Sequence, residues 1–235
     1  MNNEKTVLSE REKILGRIRE ALKVKAPLPG SHGGLPVQAS ADPPTSHARE
    51  WLPSVGSSVE EQFALFAKNA ADLKADFQLL AGRDELKAAL VKLRDVEKWQ
   101  RVASHGGELS DFACKAIGLP VTLTDRGYDV QEMEKCDAGI TECDALIAQT
   151  GGVVVTSRSA GGRALSILPP HHVVLARHGQ LVADLPAAFE FLQKKYAPDF
   201  PSMISFITGP SRTGDIERIL VLGAHGPKKL TIFCF

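Results

Sequence analysis

The fold is decided by residues 204–235, which read ISFITGPSRTGDIERILVLGAHGPKKLTIFCF. An apolar run suited to a β-strand stops at Gly209-Pro210, where the chain must turn, and Ser211 or Thr213 can cap a helix that begins there. This helix is predicted to be short and to end near Gly223. Five of the last six residues are apolar, which predicts a buried, parallel strand. The stretch therefore predicts a strand, a helix and a second strand of an α/β fold.

The turn after the first strand has the residue types of an anion site. A helix that starts at the carboxyl end of a strand points unpaired backbone amides into the crevice where open α/β sheets hold ligands. Gly209 lets a ligand approach the main chain, and Ser211 and Thr213 add hydroxyl donors. Arg212 can add a bidentate contact to a carboxylate or phosphate. In the alternative interpretation the hydroxyls only cap the helix and Arg212 faces solvent.

His225 follows the predicted helix. A helix of about ten residues rises about 15 Å, so in a simple strand–helix–strand unit His225 lies at the opposite end of the sheet from Ser211. We therefore predict that it does not share a site with Arg212 in one subunit. It is a turn residue, a contact between subunits of a homo-oligomer, or part of a second site.

The bulk composition excludes several classes of function. The 235 residues contain 28 Lys and Arg and 28 Asp and Glu, so the balanced charge favours neither nucleic acid nor an anionic membrane as a partner. The sequence has no apolar run of about 18 residues and no apolar signal-peptide core near its start. We therefore expect a soluble, cytoplasmic protein.

No resident metal or cofactor is predicted for this chain. The four cysteines, at positions 114, 136, 143 and 234, include no Cys-x-x-Cys pair, which argues against a zinc ribbon or a ferredoxin-type cluster. His171 and His172 are adjacent on a predicted strand and point to opposite faces, so they cannot chelate one metal as a pair. No known nucleotide-binding motif is present either.

The N-terminal region differs in composition from the rest. Residues 11–23 have apolar side chains at helical spacing, with charged residues on the other face. Residues 27–56 are rich in Pro, Gly and Ser and cannot supply a hydrophobic core. We therefore predict an N-terminal helix and arm over residues 1–56 and an α/β domain over residues 57–235. The helix either packs on this protein or docks on a partner.

Three glycine-containing turns supply further candidate site residues. His105 and Glu108 follow a predicted strand and are weak candidates for general acid–base catalysis, so the catalytic residues remain unassigned. Thr150 and Gly151 lie in a tight turn between two predicted strands and are predicted to contribute to anion binding. Arg163 lies in a loop that could close over an anion from the side opposite Arg212.

Three motifs together carry a resemblance to a known family. They are AQTGGVV at residues 148–154, SILPPHHVV at residues 166–174, and the pattern GPSRTGDIE followed by LVLGAHGP at residues 209–227. With these motifs the chain resembles the lactate-utilisation (LUD) domain family over roughly residues 59–235. The resemblance implies a NagB/RpiA/CoA-transferase-like α/β fold, an open sheet with helices on both faces. It also implies a role in oxidising L-lactate to pyruvate together with iron–sulfur partner proteins, which would carry the clusters.

The sequence departs from the family pattern at one place. The family has Glu-Thr-Gly-Thr where this chain has Gln149-Thr150-Gly151-Gly152. An amide does not titrate, so Gln149 cannot serve as an acid or base, although it can still hydrogen-bond. Two alternatives to the lactate role stay open. One is a stand-alone enzyme of the same fold that acts on a phosphorylated sugar, a CoA ester or a folate. The other is a non-catalytic scaffold that recruits the iron–sulfur partners.

Overall fold

A computed structural model describes residues 10–21, 23, 54–125, 127–214, 220–223 and 225–235. The chain divides into two units, Met1–His47 and Ala48–Phe235. In the first unit the predicted helix is present as α1 (Glu10–Ala21), where Ile14 and Ile18 are exposed. Most of the predicted arm lies outside the described residues, so the boundary between residues 56 and 57 stays a prediction.

The second unit contains five helices and twelve strands among its described residues. In chain order they are α2 (Val59–Asp72), β1 (Asp76–Leu79), α3 (Arg83–Glu97), β2 (Val102–Ser104), α4 (Glu108–Ile117), β3 (Val121–Leu123), α5 (Val130–Glu134), β4 (Ala138–Glu142), β5 (Ala145–Ile147), β6 (Gly152–Thr156), β7 (His171–Ala176), β8 (Leu181–Val182), α6 (Leu185–Tyr196), β9 (Ile204–Ile207), β10 (Arg212–Gly214), β11 (Leu220–Leu222) and β12 (Lys229–Cys234). No described helix combines the length and apolar character needed to span a bilayer.

A six-stranded parallel sheet forms the centre of the second unit, with the strand order β1-β12-β7-β4-β2-β3. Its central strand β7 is buried along its whole length, as expected for a parallel strand covered on both faces. Val173 and Leu175 point to the face covered by α3 and α4, whereas Val174 and Ala176 point to the face covered by α2. The α/β fold with helices on both faces of an open parallel sheet is therefore confirmed.

A second sheet packs on the α2 face of the first. Its order is β8-β5-β6-β9, and β9 is an edge strand that pairs antiparallel with β6. Val153 and Val155 of β6 face the large sheet, while Val154 faces α6 on the outside. Its pairing with β6 places β9 in the smaller sheet, and β9 ends just before Gly209.

The helix predicted after Gly209-Pro210 is wrong. Residues 212–214 and 220–222 instead form the antiparallel hairpin β10–β11, with Arg212 opposite Leu222 and Gly214 opposite Leu220. Ser211 is held by long-range backbone bonds, because its amide donates to the Pro227 carbonyl at 2.8 Å and its carbonyl accepts from the Gly223 amide at 2.9 Å. These contacts outweigh the local helix signal. The strands predicted on either side are confirmed as β9 and β12.

Candidate functional site

A cleft of about 400 Å³ lies along β9 and the turn that follows it. It is lined by Arg163, Ser166 and Ile167, by Met203 with residues 205–212, and by residues 225–227. We call it the β9 cleft. Four of the residues predicted to bind an anion, Arg163, Gly209, Ser211 and Arg212, are brought together here.

Backbone bonds near the amino ends of β7 and β12 hold the walls of the β9 cleft together. Lys228 donates its amide to the Pro170 carbonyl at 2.8 Å, which joins the segments that precede these two strands. The Ser166 hydroxyl donates to the Arg163 carbonyl at 3.1 Å and stabilises the turn that presents Arg163. The cleft therefore lies at the amino-terminal edge of the parallel strands. Open α/β sheets usually bind ligands at the other edge, where the carboxyl ends of the strands lie.

The prediction that His225 and Arg212 lie at opposite ends of the sheet is wrong, because both line the β9 cleft. A helix would have carried the chain away from Ser211, whereas the β10–β11 hairpin returns it to the same place. Gly226 packs so closely on Ser211 that an added Cβ would lie 3.2 Å from the Ser211 Cβ. His225 is exposed in this position and can contact a ligand.

The β9 cleft is basic on one side. Arg163 and Arg212 are both exposed, and no acidic side chain pairs with either of them in the part of the chain that the structure describes. None of the described lining residues is acidic, and hydroxyl groups of Ser205, Thr208 and Ser211 add donors. Two unpaired guanidinium groups beside hydroxyl donors suit a carboxylate or phosphate.

The backbone amides predicted to bind an anion after Gly209 are not available. Pro210 has no amide hydrogen, and the Ser211 amide already donates to Pro227. No helix terminus therefore supplies donors in the described part of this turn, and the charge that attracts an anion comes from the arginines. Thr213 lies in β10, and its side chain is outside the described part of the structure.

The edge strand β9 offers other backbone groups. Ser157 donates its amide to the Met203 carbonyl, so residues 203, 205 and 207 are the positions that bond to β6. The N–H and C=O groups of Phe206 therefore point towards the edge of β9 that pairs with no described strand, here called its free edge. A ligand in the cleft can use them.

Thr150 and Gly151 do not line the β9 cleft. Their turn packs on α2, where the Asn69 side-chain amide donates to the carbonyls of Ala148 at 3.0 Å and Gln149 at 2.9 Å. Gly151 has φ of +64°, and an added Cβ would lie 2.6 Å from a backbone nitrogen of α2. The turn is therefore determined by close packing on the helix.

His105 is buried at the carboxyl edge of the large sheet. Its Nε2 lies 3.3 Å from the Glu142 amide and 3.2 Å from the Ser110 hydroxyl, and its Nδ1 lies 3.0 Å from the Gly106 carbonyl. An amide can only donate, so Nε2 accepts and Nδ1 carries the proton that it donates to Gly106. Both ring nitrogens are thus occupied by the protein itself.

Glu142 was missed by the sequence analysis. Its carboxylate accepts the amides of Leu109 at 2.9 Å and Ser110 at 3.2 Å in the first turn of α4. Negative charge is favoured at this position by the unpaired amides and the helix dipole. Glu142 therefore fills the helix terminus nearest the switch point between β2 and β4, where an α/β sheet would otherwise take an anionic ligand. Its only sequence signal is an acid at the end of an apolar strand.

Glu108 is exposed at the same edge and forms ion pairs with Arg83 and Arg177. Hydrogen bonds from Arg83 and then Arg177 lower its pKa below the ordinary value of a glutamate. The carboxylate is therefore held in its ionised form at neutral pH, which does not suit a general acid.

The two adjacent histidines point to opposite faces of β7, as predicted. His171 Nε2 lies 2.9 Å from the Thr231 hydroxyl, and His172 Nε2 lies 2.9 Å from the Thr141 hydroxyl. Burial lowers the pKa of His171 to about 4 and that of His172 to about 3. Among the described residues, no group of three or more His, Cys, Asp or Glu side chains is placed to hold a metal ion.

Comparisons with known proteins agree on one family. The model of the LUD domain matches residues 63–234. Lactate utilization protein C from Anoxybacillus flavithermus is 34% identical over 154 residues, which cover 60% of this chain and 68% of that protein. Lactate utilization protein C from Shouchella clausii is 36% identical over 180 residues, which cover 74% and 78%.

One solved structure supports the fold. The crystal structure of a DUF162 family protein from Deinococcus radiodurans superimposes with a TM-score of 0.61 at 22% sequence identity. It covers 76% of this chain and 99% of the other.

Proposed function

The chain belongs to the LUD domain family, and from this membership we propose that it takes part in lactate utilisation. Its role is that of one component in a system that oxidises L-lactate to pyruvate. Iron–sulfur partner proteins receive the electrons, and this chain carries no redox cofactor of its own. The named relatives support the process, while the finer assignment depends on the chemistry of the site.

The observation that carries this assignment is the pair of arginines in the β9 cleft, neither of which forms an ion pair with a described residue. Arg163 and Arg212 converge on one cleft whose described lining contains no acid. A 2-hydroxy acid such as lactate offers a carboxylate for the guanidinium groups and a hydroxyl for the serine, threonine and histidine side chains. We assign these residues to binding and orientation of the anion.

The test is growth on L-lactate in a bacterial strain that lacks its own copy of this protein. The wild type restores growth, whereas Arg163→Ala, Arg212→Ala and the double variant do not, because each removes a charge from the carboxylate site. Arg101→Ala is the matched control, since the Arg101 side chain is 40% exposed and, among the described residues, forms an ion pair with the exposed Glu132 alone. Glu108→Gln also restores growth if Glu108 has no acid–base role.

The protein level of each variant is measured by immunoblot, so that lost growth is not confused with lost protein. Full rescue by the Arg163→Ala/Arg212→Ala double variant would refute the site. Failure of the wild type to restore lactate consumption would refute the lactate role itself.

A scaffold role is the second candidate, and the exposed apolar residues of α1 favour it. Ile14 and Ile18 are 56% and 49% exposed and lie four residues apart on one face of the helix. An amphipathic helix of this kind can insert its apolar face into a groove of a partner protein. Pull-down of the iron–sulfur partners with Ile14→Ser/Ile18→Ser tests this role, with the exposed Val96→Ser on α3 as the control. Unchanged recovery of the partners would contradict it.

A further inference from the structure

The β9 cleft is larger than a three-carbon acid requires. Its volume of about 400 Å³ lies within the range of roughly 300–1,000 Å³ that is typical of clefts for drug-sized ligands. Since a water molecule occupies about 30 Å³ in the liquid, the cleft has room for on the order of ten waters. Lactate alone would displace only part of them.

One part of the cleft lining, here called the apolar wall, consists of aliphatic side chains. Ile167, Met203 and Ile207 contribute to it, and Ile167 is 43% exposed. A ligand that carries only charge would leave this wall in contact with water. A ligand with an apolar group would cover it and gain the free energy of removing apolar surface from water.

The two kinds of wall occur together along one edge strand. Phe206 directs its backbone N–H and C=O away from β6, to the free edge of β9. The lining thus offers an amphipathic anion guanidinium and hydroxyl groups, backbone hydrogen-bonding groups and apolar side chains.

We infer that the ligand of the β9 cleft is an organic carboxylate or phosphate bearing an aryl-sized apolar group, bound with its anion on Arg163 and Arg212. This inference rests on the anion site of the proposed function and specifies the class of compound that fills it. In the lactate system such a compound binds together with, or in place of, lactate in this cleft.

The test uses isothermal titration calorimetry on the full chain with two matched pairs of ligands. They are inorganic phosphate against phenyl phosphate, and L-lactate against L-3-phenyllactate. The aryl member of each pair binds at least about tenfold more tightly, equivalent to about 1.4 kcal/mol, because its ring covers the apolar wall. Arg163→Ala and Arg212→Ala weaken the binding of all four ligands.

A change at one apolar lining residue separates the apolar contact from the charge. Ile167→Ser lowers the ratio of aryl-ligand affinity to small-anion affinity in each pair, whereas Val96→Ser, at a residue that is 66% exposed on α3, leaves this ratio unchanged. The inference is overturned if the aryl ligands gain less than threefold while the small anions still bind in an arginine-dependent way. The proposed anion site then stands. If neither Arg163→Ala nor Arg212→Ala changes the affinity for the aryl ligands, the inference also fails. Absence of arginine-dependent binding by any of the four ligands overturns the anion site and the inference together.

Discussion

Replacing Tyr196 by phenylalanine removes one oxygen from a buried polar cluster that the sequence does not reveal. Asp144, which is fully buried, accepts a hydrogen bond from the Tyr196 hydroxyl at 2.5 Å and from the Lys195 ammonium at 2.7 Å. The three residues connect the end of β4 to α6 on the far side of the smaller sheet. Asp144 Oδ2 has no hydrogen-bond partner among the described residues, so its other oxygen carries all of the observed stabilising contacts.

The magnitude follows from these contacts. A hydrogen bond to a charged group contributes about 1.5–3 kcal/mol, and its loss leaves the buried carboxylate with one donor fewer. The side chain of Lys195 is 43% exposed, so solvent screens it and it cannot compensate fully. Because phenylalanine preserves the packing of the ring, we expect Tyr196→Phe to lower the free energy of unfolding by about 2 kcal/mol. In a domain of this size the melting temperature falls by roughly 4–8 °C.

The assay is thermal and urea unfolding at pH 7, followed by circular dichroism. Burial alone would raise the pKa of Asp144, but the hydrogen bonds from Lys195, Ser159 and Tyr196 outweigh it and lower the pKa. A lowered pKa in the folded state contributes stability above the ordinary aspartate value of about 3.9, and this contribution is lost as the pH falls through the folded-state value. At pH 7 the carboxylate is ionised in both states and the full effect is measured.

The chain provides its own control, because its two tyrosines are Tyr128 and Tyr196. Tyr128 is 43% exposed and has no hydrogen bond to a described side chain, so Tyr128→Phe should change stability by less than about 0.5 kcal/mol. If Tyr196→Phe is no more destabilising than Tyr128→Phe, the hydrogen bond from Tyr196 to Asp144 does not stabilise the protein.

Two further predictions concern a packed turn and the buried imidazoles. Gly151→Ala should lower the free energy of unfolding by about 2–4 kcal/mol, since an alanine there has φ of +64° and also collides with α2. Gly162→Ala, with φ of +98° and nothing within 4 Å of the added Cβ, should lower it by about 1 kcal/mol. Equal losses of stability in thermal unfolding would contradict the predicted collision with α2. Of the seven histidines, His171 and His172 should stay neutral above about pH 5 in an NMR titration. Their lowered pKa values contribute stability above the ordinary value of about 6.5 that is lost as the pH falls towards 4, and seven ordinary titrations would contradict this.

The glycine turn at residues 209–214 illustrates how far local signals extend. Pro210 and the hydroxyl residues indicated a turn correctly, and the apolar runs on both sides predicted β9 and β12. The segment between them has helix-capping residues, yet it forms a hairpin because Ser211 bonds to Pro227 and Gly223. Both partners are distant in sequence, and local propensities of a few tenths of a kcal/mol per residue cannot outweigh such contacts.

In the candidate site, too, local residue types predicted some features, and contacts between distant segments decided the others. The residue types of Arg163, Ser211 and Arg212 marked them as anion ligands, and the structure brings them to one cleft. His225 and Phe206 joined them only through the hairpin and the free edge of β9. Thr150 and Gly151 share the glycine-rich character of the site residues, but their turn packs on α2, which no local pattern indicates.

The sequence by itself determined the class of fold and the family, because strand and helix periodicity and short motifs are properties of short segments. Only the tertiary structure decided which of the candidate residues meet, and that Glu142 and Asp144 are held inside the protein by amide and side-chain donors. Hydrogen bonds between distant segments determine these positions, and the partners in such bonds are chosen by the folding of the whole chain.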